Sequence, residues 1–163
     1  MQQPFSILFI CLGNICRSPL AEGAMRAVLQ ERFPQRDFIV DSAGTNGYHT
    51  GEAPDYRSVA VGLKHGLDIS DQRCRQLVDE DFTRFNLILA MDQNNLMTIN
   101  RLAPKGATAV TGLFTAVARD GLSGHSVDRG EEIPDPYYGD AADFERVYLM
   151  VRDAAEALAD RLS

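Results

Sequence analysis

Lysine is nearly missing from this chain. Only Lys64 and Lys105 occur among 163 residues, and 23 acidic side chains face 16 basic ones, for a formal net charge of −7. A protein that tracks a nucleic-acid backbone needs Lys and Arg to replace counterions, so that class is disfavoured. The overall negative field mildly repels anions, and any anion site must be assembled locally. Cysteine is scarce too. Cys11, Cys16 and Cys74 form an odd, low set. Such a set makes no structural disulfide framework and fits a reducing compartment, the cytoplasm. A zinc knuckle would need a second matched pair, and His49, His65 and His125 are not spaced as a metal set. No metal and no cofactor is therefore expected. No apolar run approaches the roughly 18 residues of a membrane span. Met1-Gln2-Gln3-Pro4 lacks the charged, then apolar layout of a secretion signal.

The composition is globular, with 45% hydrophobic and 24% charged residues. The length suits one domain, taken as residues 1–163. Residues 5–10 read as a buried strand and 18–32 as a helix. Ser18 is placed as its cap, Pro19 at its first position and Glu22 in its first turn. Phe38-Ile39-Val40 reads as a second strand and Asp55 to His65 as a helix closed by Gly66. Residues 79–85 read as a short helix, Leu87 to Met91 as a third strand, and Asp92 to Leu102 as a helix capped by Asp92. A fourth strand is set at 107–110, and 114–136 is taken as a long surface loop. Residues 140–162 carry the clearest apolar stripe, from Phe144 through Val151 to Leu162, with Asp140 as cap. This order predicts an α/β domain with a small parallel sheet. Ligands in such sheets bind beyond the carboxyl ends of the strands, where Cys11, Ser42 and Asp92 are placed.

The most specific segment is Cys11-Leu12-Gly13-Asn14-Ile15-Cys16-Arg17-Ser18. Eight residues between a strand and a helix can wrap a tetrahedral anion in backbone N–H groups. Gly13 is assigned the unusual backbone angle, and Asn14 tolerates the left-handed region while tying the loop with its amide. The helix end adds positive potential. Arg17 can present two parallel donors to two phosphate oxygens. The same surroundings favour a thiolate at Cys11, with the Ser18 hydroxyl donating to the sulfur. The segment is neither a Gly-x-x-x-x-Gly-Lys nucleotide loop nor a Cys-x-x-Cys redox motif. A lone cysteine at a strand end is ordinarily a small buried hydrophobe; Asn14, Arg17 and Ser18 around it argue for a nucleophile that takes up phosphate.

A phosphorylated sulfur forms only if a leaving group departs, and protonation helps it leave. Asp135, stiffened by Pro134 and Pro136, is the candidate acid and later the base toward water. Tyr137 and Tyr138 beside it, and Tyr48 on another loop, suit the walls of a planar slot. Each histidine reads as a surface or cap residue.

These segments, with Asp41-Ser42-Ala43-Gly44-Thr45, Met91-Asp92-Gln93-Asn94 and Asp135-Pro136-Tyr137-Tyr138-Gly139-Asp140, resemble the low-molecular-weight protein tyrosine phosphatase family along essentially the whole chain. The resemblance implies a three-layer, Rossmann-like fold of the phosphotyrosine protein phosphatase I type: a four-stranded parallel sheet with helices on both faces. It implies Cys11 as nucleophile, Arg17 as phosphate grip, Asp135 as general acid, and Asn14, Ser18 and Ser42 as support. Asp92 is a further supporting position, and Leu12, Tyr48, Tyr137 and Tyr138 are implied as pocket walls. Cys16 is implied as a reversible disulfide partner of Cys11. The implied substrate is a phosphotyrosine-containing protein, with phosphate or another oxyanion in the loop. Two departures stand out: Asp71 lies near a common family histidine, and Tyr48 replaces a common tryptophan. Phosphoarginine hydrolysis is the nearest rival, disfavoured because apolar Ile15 stands where relatives with that taste carry threonine. An arsenate reductase lacks its relay cysteines here, and a binding module without turnover does not explain why Cys11 and Asp135 are both retained.

Overall fold

The computed structural model describes residues 3–121 and 131–163. Four strands form one parallel sheet: β1 (Phe5–Cys11), β2 (Phe38–Gly44), β3 (Leu87–Ala90) and β4 (Val110–Leu113), in the order β2-β1-β3-β4. Alternation along β1 divides the core in two, because successive side chains leave opposite faces of a strand. Ile7 and Phe9 point into a cluster with Leu20, Val28, Val147, Val151 and Leu158. Leu8 and Ile10 point into a second cluster with Phe82, Phe85, Leu96 and Ile99. All four β1 residues are fully buried, which explains their continuous apolar run.

The first cluster is covered by α1 (Arg17–Arg32), α5 (Phe114–Asp120) and α6 (Ala141–Leu162), with α2 (Tyr56–Lys64) packed on α6. The second is covered by α3 (Asp81–Arg84) and α4 (Gln93–Leu102). The expected three-layer α/β architecture is thus observed. Asp92 and Asp140 close capping boxes at α4 and α6 with Asn95 and Asp143, and Asp55 caps α2.

Several expectations shift. The fourth strand lies at 110–113 rather than 107–110. Residues 114–120, read as loop, form a helix whose Phe114 and Val117 are buried; seven residues are too few to display a 3.6-residue period. Residues 122–130, including His125, lie outside the described residues. β2 runs on to Gly44, so Ser42 sits within the strand instead of past its end. Ser18 does not cap α1: Cys16 holds the N-cap position without a side-chain bond, and Pro19 is the third helical residue. Glu22 lies in the second turn and is buried, away from the helix end.

Candidate active site

β1 ends at Cys11, α1 begins at Arg17, and the five residues between them make a tight loop. Its carbonyls are engaged outward. Those of Cys11 and Leu12 accept from the N–H groups of Thr45 and Asn46, and that of Ile15 from Asp55. That of Asn14 accepts from the Cys74 thiol at 2.8 Å, and that of Cys16 from the Ser58 hydroxyl at 3.2 Å. Within one planar peptide unit C=O and N–H point in opposite directions, so a loop with outward carbonyls turns its N–H groups toward its own centre.

The left-handed residue is Asn14, at φ 59°, not Gly13. The glycine the loop does require is Gly44. A Cβ there would stand 2.8 Å from the Leu12 carbonyl oxygen and 3.0 Å from the Asn14 nitrogen. The end of β2 therefore approaches the loop more closely than any side chain permits.

Asn14 sets the direction of the hydrogen bonds around the sulfur. Its amide nitrogen donates to Ser18 Oγ at 2.9 Å and to Ser42 Oγ at 3.0 Å. Its amide oxygen accepts from the Arg75 N–H at 2.9 Å. Ser18 Oγ lies 3.0 Å from Cys11 Sγ, and toward a thiolate, which has no proton to give, the hydroxyl is the donor. The Ser42 hydroxyl donates a hydrogen bond to Glu22 Oε1 at 2.8 Å. Burial pushes the Glu22 carboxyl up, against the opposing pull of Ser42 and Arg26. Glu22, expected only as a first-turn charge on α1, belongs to this network.

Arg17 is 2% exposed. Nη1 donates to Asp92 Oδ2 at 2.6 Å and to the Ile133 carbonyl at 2.9 Å, while Nη2 lies 3.8 Å from Asp135 Oδ2. Burial alone would lower the guanidinium, but Cys11, Asp92 and Asp135 outweigh it and hold it above its ordinary value. Asp92 thus does two jobs, capping α4 and fixing one nitrogen of Arg17.

A pocket of about 270 Å³ opens above the loop, lined by Cys11, Arg17, Tyr48, Asp135, Tyr137 and Tyr138. Leu12, Gly13, Ile15 and Cys16 line it as well. Asn46 and His49 also line it, and the sequence reading missed both. The His49 ring packs over Gly13 and pairs with Glu52 at 3.1 Å. Tyr138 is 96% exposed and meets Tyr137 edge-on at 4.9 Å. Asp135 accepts the Tyr137 N–H at 3.1 Å, which aims the carboxylate across the mouth toward Arg17. All three cysteines are free thiols. Burial first, then the charge of Asp55, pushes the Cys16 thiol up. Burial also lifts Cys74 to about 11, so it keeps the proton it donates to Asn14. No group of three potential metal ligands occurs among the described residues.

A sequence profile of the family described as "Low molecular weight phosphotyrosine protein phosphatase" matches residues 6–163. The human protein of that name is 40% identical over 143 residues, 88% of this chain and 86% of its own. A crystal structure of a protein tyrosine phosphatase from Entamoeba histolytica superposes with a TM-score of 0.85 at 36% identity, covering 97% of this chain and 96% of that one. A Drosophila arginine phosphatase superposes with a TM-score of 0.84 at 29% identity, covering 96% and 97%. The chain belongs to the low molecular weight phosphotyrosine protein phosphatase family.

Proposed function

We propose that this chain hydrolyses phosphotyrosine on proteins, with Cys11, Arg17 and Asp135 as the catalytic residues. Cys11 attacks the phosphorus as a thiolate, stabilised by the Ser18 proton. The loop N–H groups and Arg17 hold the equatorial oxygens, and they grip the transition state better than the ground state. The S–P bond forms as the P–O bond to the tyrosine ring breaks, and Asp135 supplies the proton that the phenolate takes away. Asp135 then accepts a proton from the water that attacks the cysteinyl phosphate, releasing inorganic phosphate and free Cys11.

The observation that carries this reading is the shared pocket: a sulfur bonded by Ser18, a buried Arg17 and the Asp135 carboxylate 3.8 Å from it. A structural cysteine would need no fixed cation and no acid across an opening. The fold does not choose between phosphotyrosine and phosphoarginine, since an arginine phosphatase shares it. The lining does. Ile15 offers a guanidinium no hydrogen bond, whereas Tyr48, Tyr137 and Tyr138 offer an aromatic ring its walls. The shorter phosphoserine is expected not to reach Cys11 while resting between those walls.

The test is kcat/KM on peptides carrying phosphotyrosine, phosphoserine or phosphoarginine. Phosphotyrosine should be preferred by orders of magnitude over phosphoserine; equal or higher activity on phosphoarginine would contradict the assignment. We read residues 1–163 as one domain acting in the cytoplasm, a reading that rests on the low, odd cysteine count. Cys11 and Cys16 line the same pocket, which supports their pairing after oxidation. Cys11 sulfenic acid and the Cys16 thiol would condense to a disulfide and water.

A further inference from the structure

Arg57 stands where a helix least favours a cation. It is the second residue of α2, at the positive end of the helix dipole. Something other than helix formation accounts for it, and its contacts say what. Nε and Nη2 donate to the two oxygens of Asp55, each at 3.0 Å. Asp55 is in turn tied to the phosphate loop, because its N–H donates to the Ile15 carbonyl at 2.8 Å. Burial would raise the Asp55 carboxyl, but the Arg57 hydrogen bonds overcome this and hold it below the usual carboxylate range. The guanidinium is therefore fixed in plane by a charged fork anchored to the loop.

Its other contacts are aromatic. The guanidinium carbon lies 4.6 Å from the Phe144 ring centroid and 5.4 Å from that of Tyr137. Phe144 is buried in α6. Tyr137 is a wall of the pocket, and its N–H orients Asp135. Arg57 itself does not line the pocket. We propose that Arg57 is a positioning residue for substrate specificity: held by Asp55 and Phe144, it fixes the Tyr137 ring as the wall against which an aryl phosphate stacks. The inference rests on the phosphatase reading and assigns what sets the slot's preference for an aromatic ester over bare phosphate. The occupant follows from the chemistry, because a rigid aromatic wall gains most from a planar ring.

The test compares two competitive probes on the full chain, inorganic phosphate and phenylphosphonate, by direct titration and by inhibition of aryl phosphate turnover. Phosphate reads the loop alone; phenylphosphonate reads the loop and the slot. Arg57→Gln removes the charge, and Arg57→Lys keeps it opposite Asp55 while removing the planar fork. Both variants should weaken phenylphosphonate about fivefold, the scale of a partly exposed cation–π contact, and leave phosphate affinity unchanged. In a Tyr137→Leu background, Arg57→Gln should add no further loss for phenylphosphonate. Parallel weakening of both probes, or no weakening of either, overturns the proposal, since a merely structural role would move the two together. Additive losses in the double variant overturn it as well. A parent chain that binds neither probe overturns the phosphatase reading along with it, whereas an active parent with parallel losses overturns this inference alone.

Discussion

The Asn14 side chain organises the sulfur's surroundings without touching a reacting atom. Its amide orients Ser18 and Ser42, and its left-handed backbone turns the loop. Replacing it with Ala leaves two buried hydroxyls short of a donor, each such loss costing about 1–3 kcal/mol. Among the reacting groups, Cys11→Ser should abolish turnover while phosphate still binds. Asp135→Ala should lower kcat about 10²- to 10⁴-fold with a poor leaving group, and far less with a good one such as nitrophenolate. Steady-state kinetics on a leaving-group series checks this; an equal loss across the series contradicts the acid role. Gly44→Ala drives a methyl group into the Leu12 carbonyl and the Asn14 nitrogen. It should weaken phosphate binding at least tenfold, about 1.4 kcal/mol, as read by calorimetric titration. The sequence displayed the loop because its chemistry is local: eight consecutive residues carry it. Gly44 and Glu22 stayed hidden because what they meet, Leu12 and Ser42, depends on how β2 and α1 stand in the fold.

At the scale of elements, the segment after α2 acts as a strap around the loop. Cys74 and Arg75 bind Asn14 from two sides, and Arg75 and Leu77 exchange backbone hydrogen bonds with Gly44. Arg75 is itself fixed between Asp41 and Asp81. None of this was legible, since an irregular segment has no period to read. The longer elements were readable wherever period or caps were strong, as in α6 with its Asp140 box and β1 with its unbroken apolar run. Short α5 was read as loop and β4 was placed too early, because a few buried residues fit either period. The α1–β2 contact through Glu22 and Ser42 carries a pH signature. A carboxyl raised on folding adds stability below its unfolded value and loses that contribution as pH rises through its folded value. Glu22→Gln, which keeps an acceptor for Ser42, should therefore gain in Tm relative to the parent as pH rises from acid to neutral. Thermal melts across that range check the sign, and a relative loss toward neutral pH contradicts it.

At the scale of the molecule, a net charge of −7 surrounds the site proposed to take an anion. The fold resolves this by local means: a buried Arg17 and inward N–H groups at the carboxyl end of β1, where the sheet is covered on both faces. A site built into the folded loop binds only the native state. Phosphate at about 100 times its Kd should thus stabilise the chain by about 2.7 kcal/mol, and the shift should shrink sharply in Arg17→Ala. Equal shifts in both forms would mean that phosphate acts elsewhere.

The central claim is that the phosphoryl group passes through one sulfur, and the most direct measurement is to catch it there. The enzyme is mixed with labelled aryl phosphate, quenched in acid within the first turnover and mapped by peptide mass. The account expects label on the peptide that holds Cys11, at up to one phosphate per chain, and none in Cys11→Ser. Label on another residue, or full turnover with no labelled peptide and inversion at phosphorus, would contradict it.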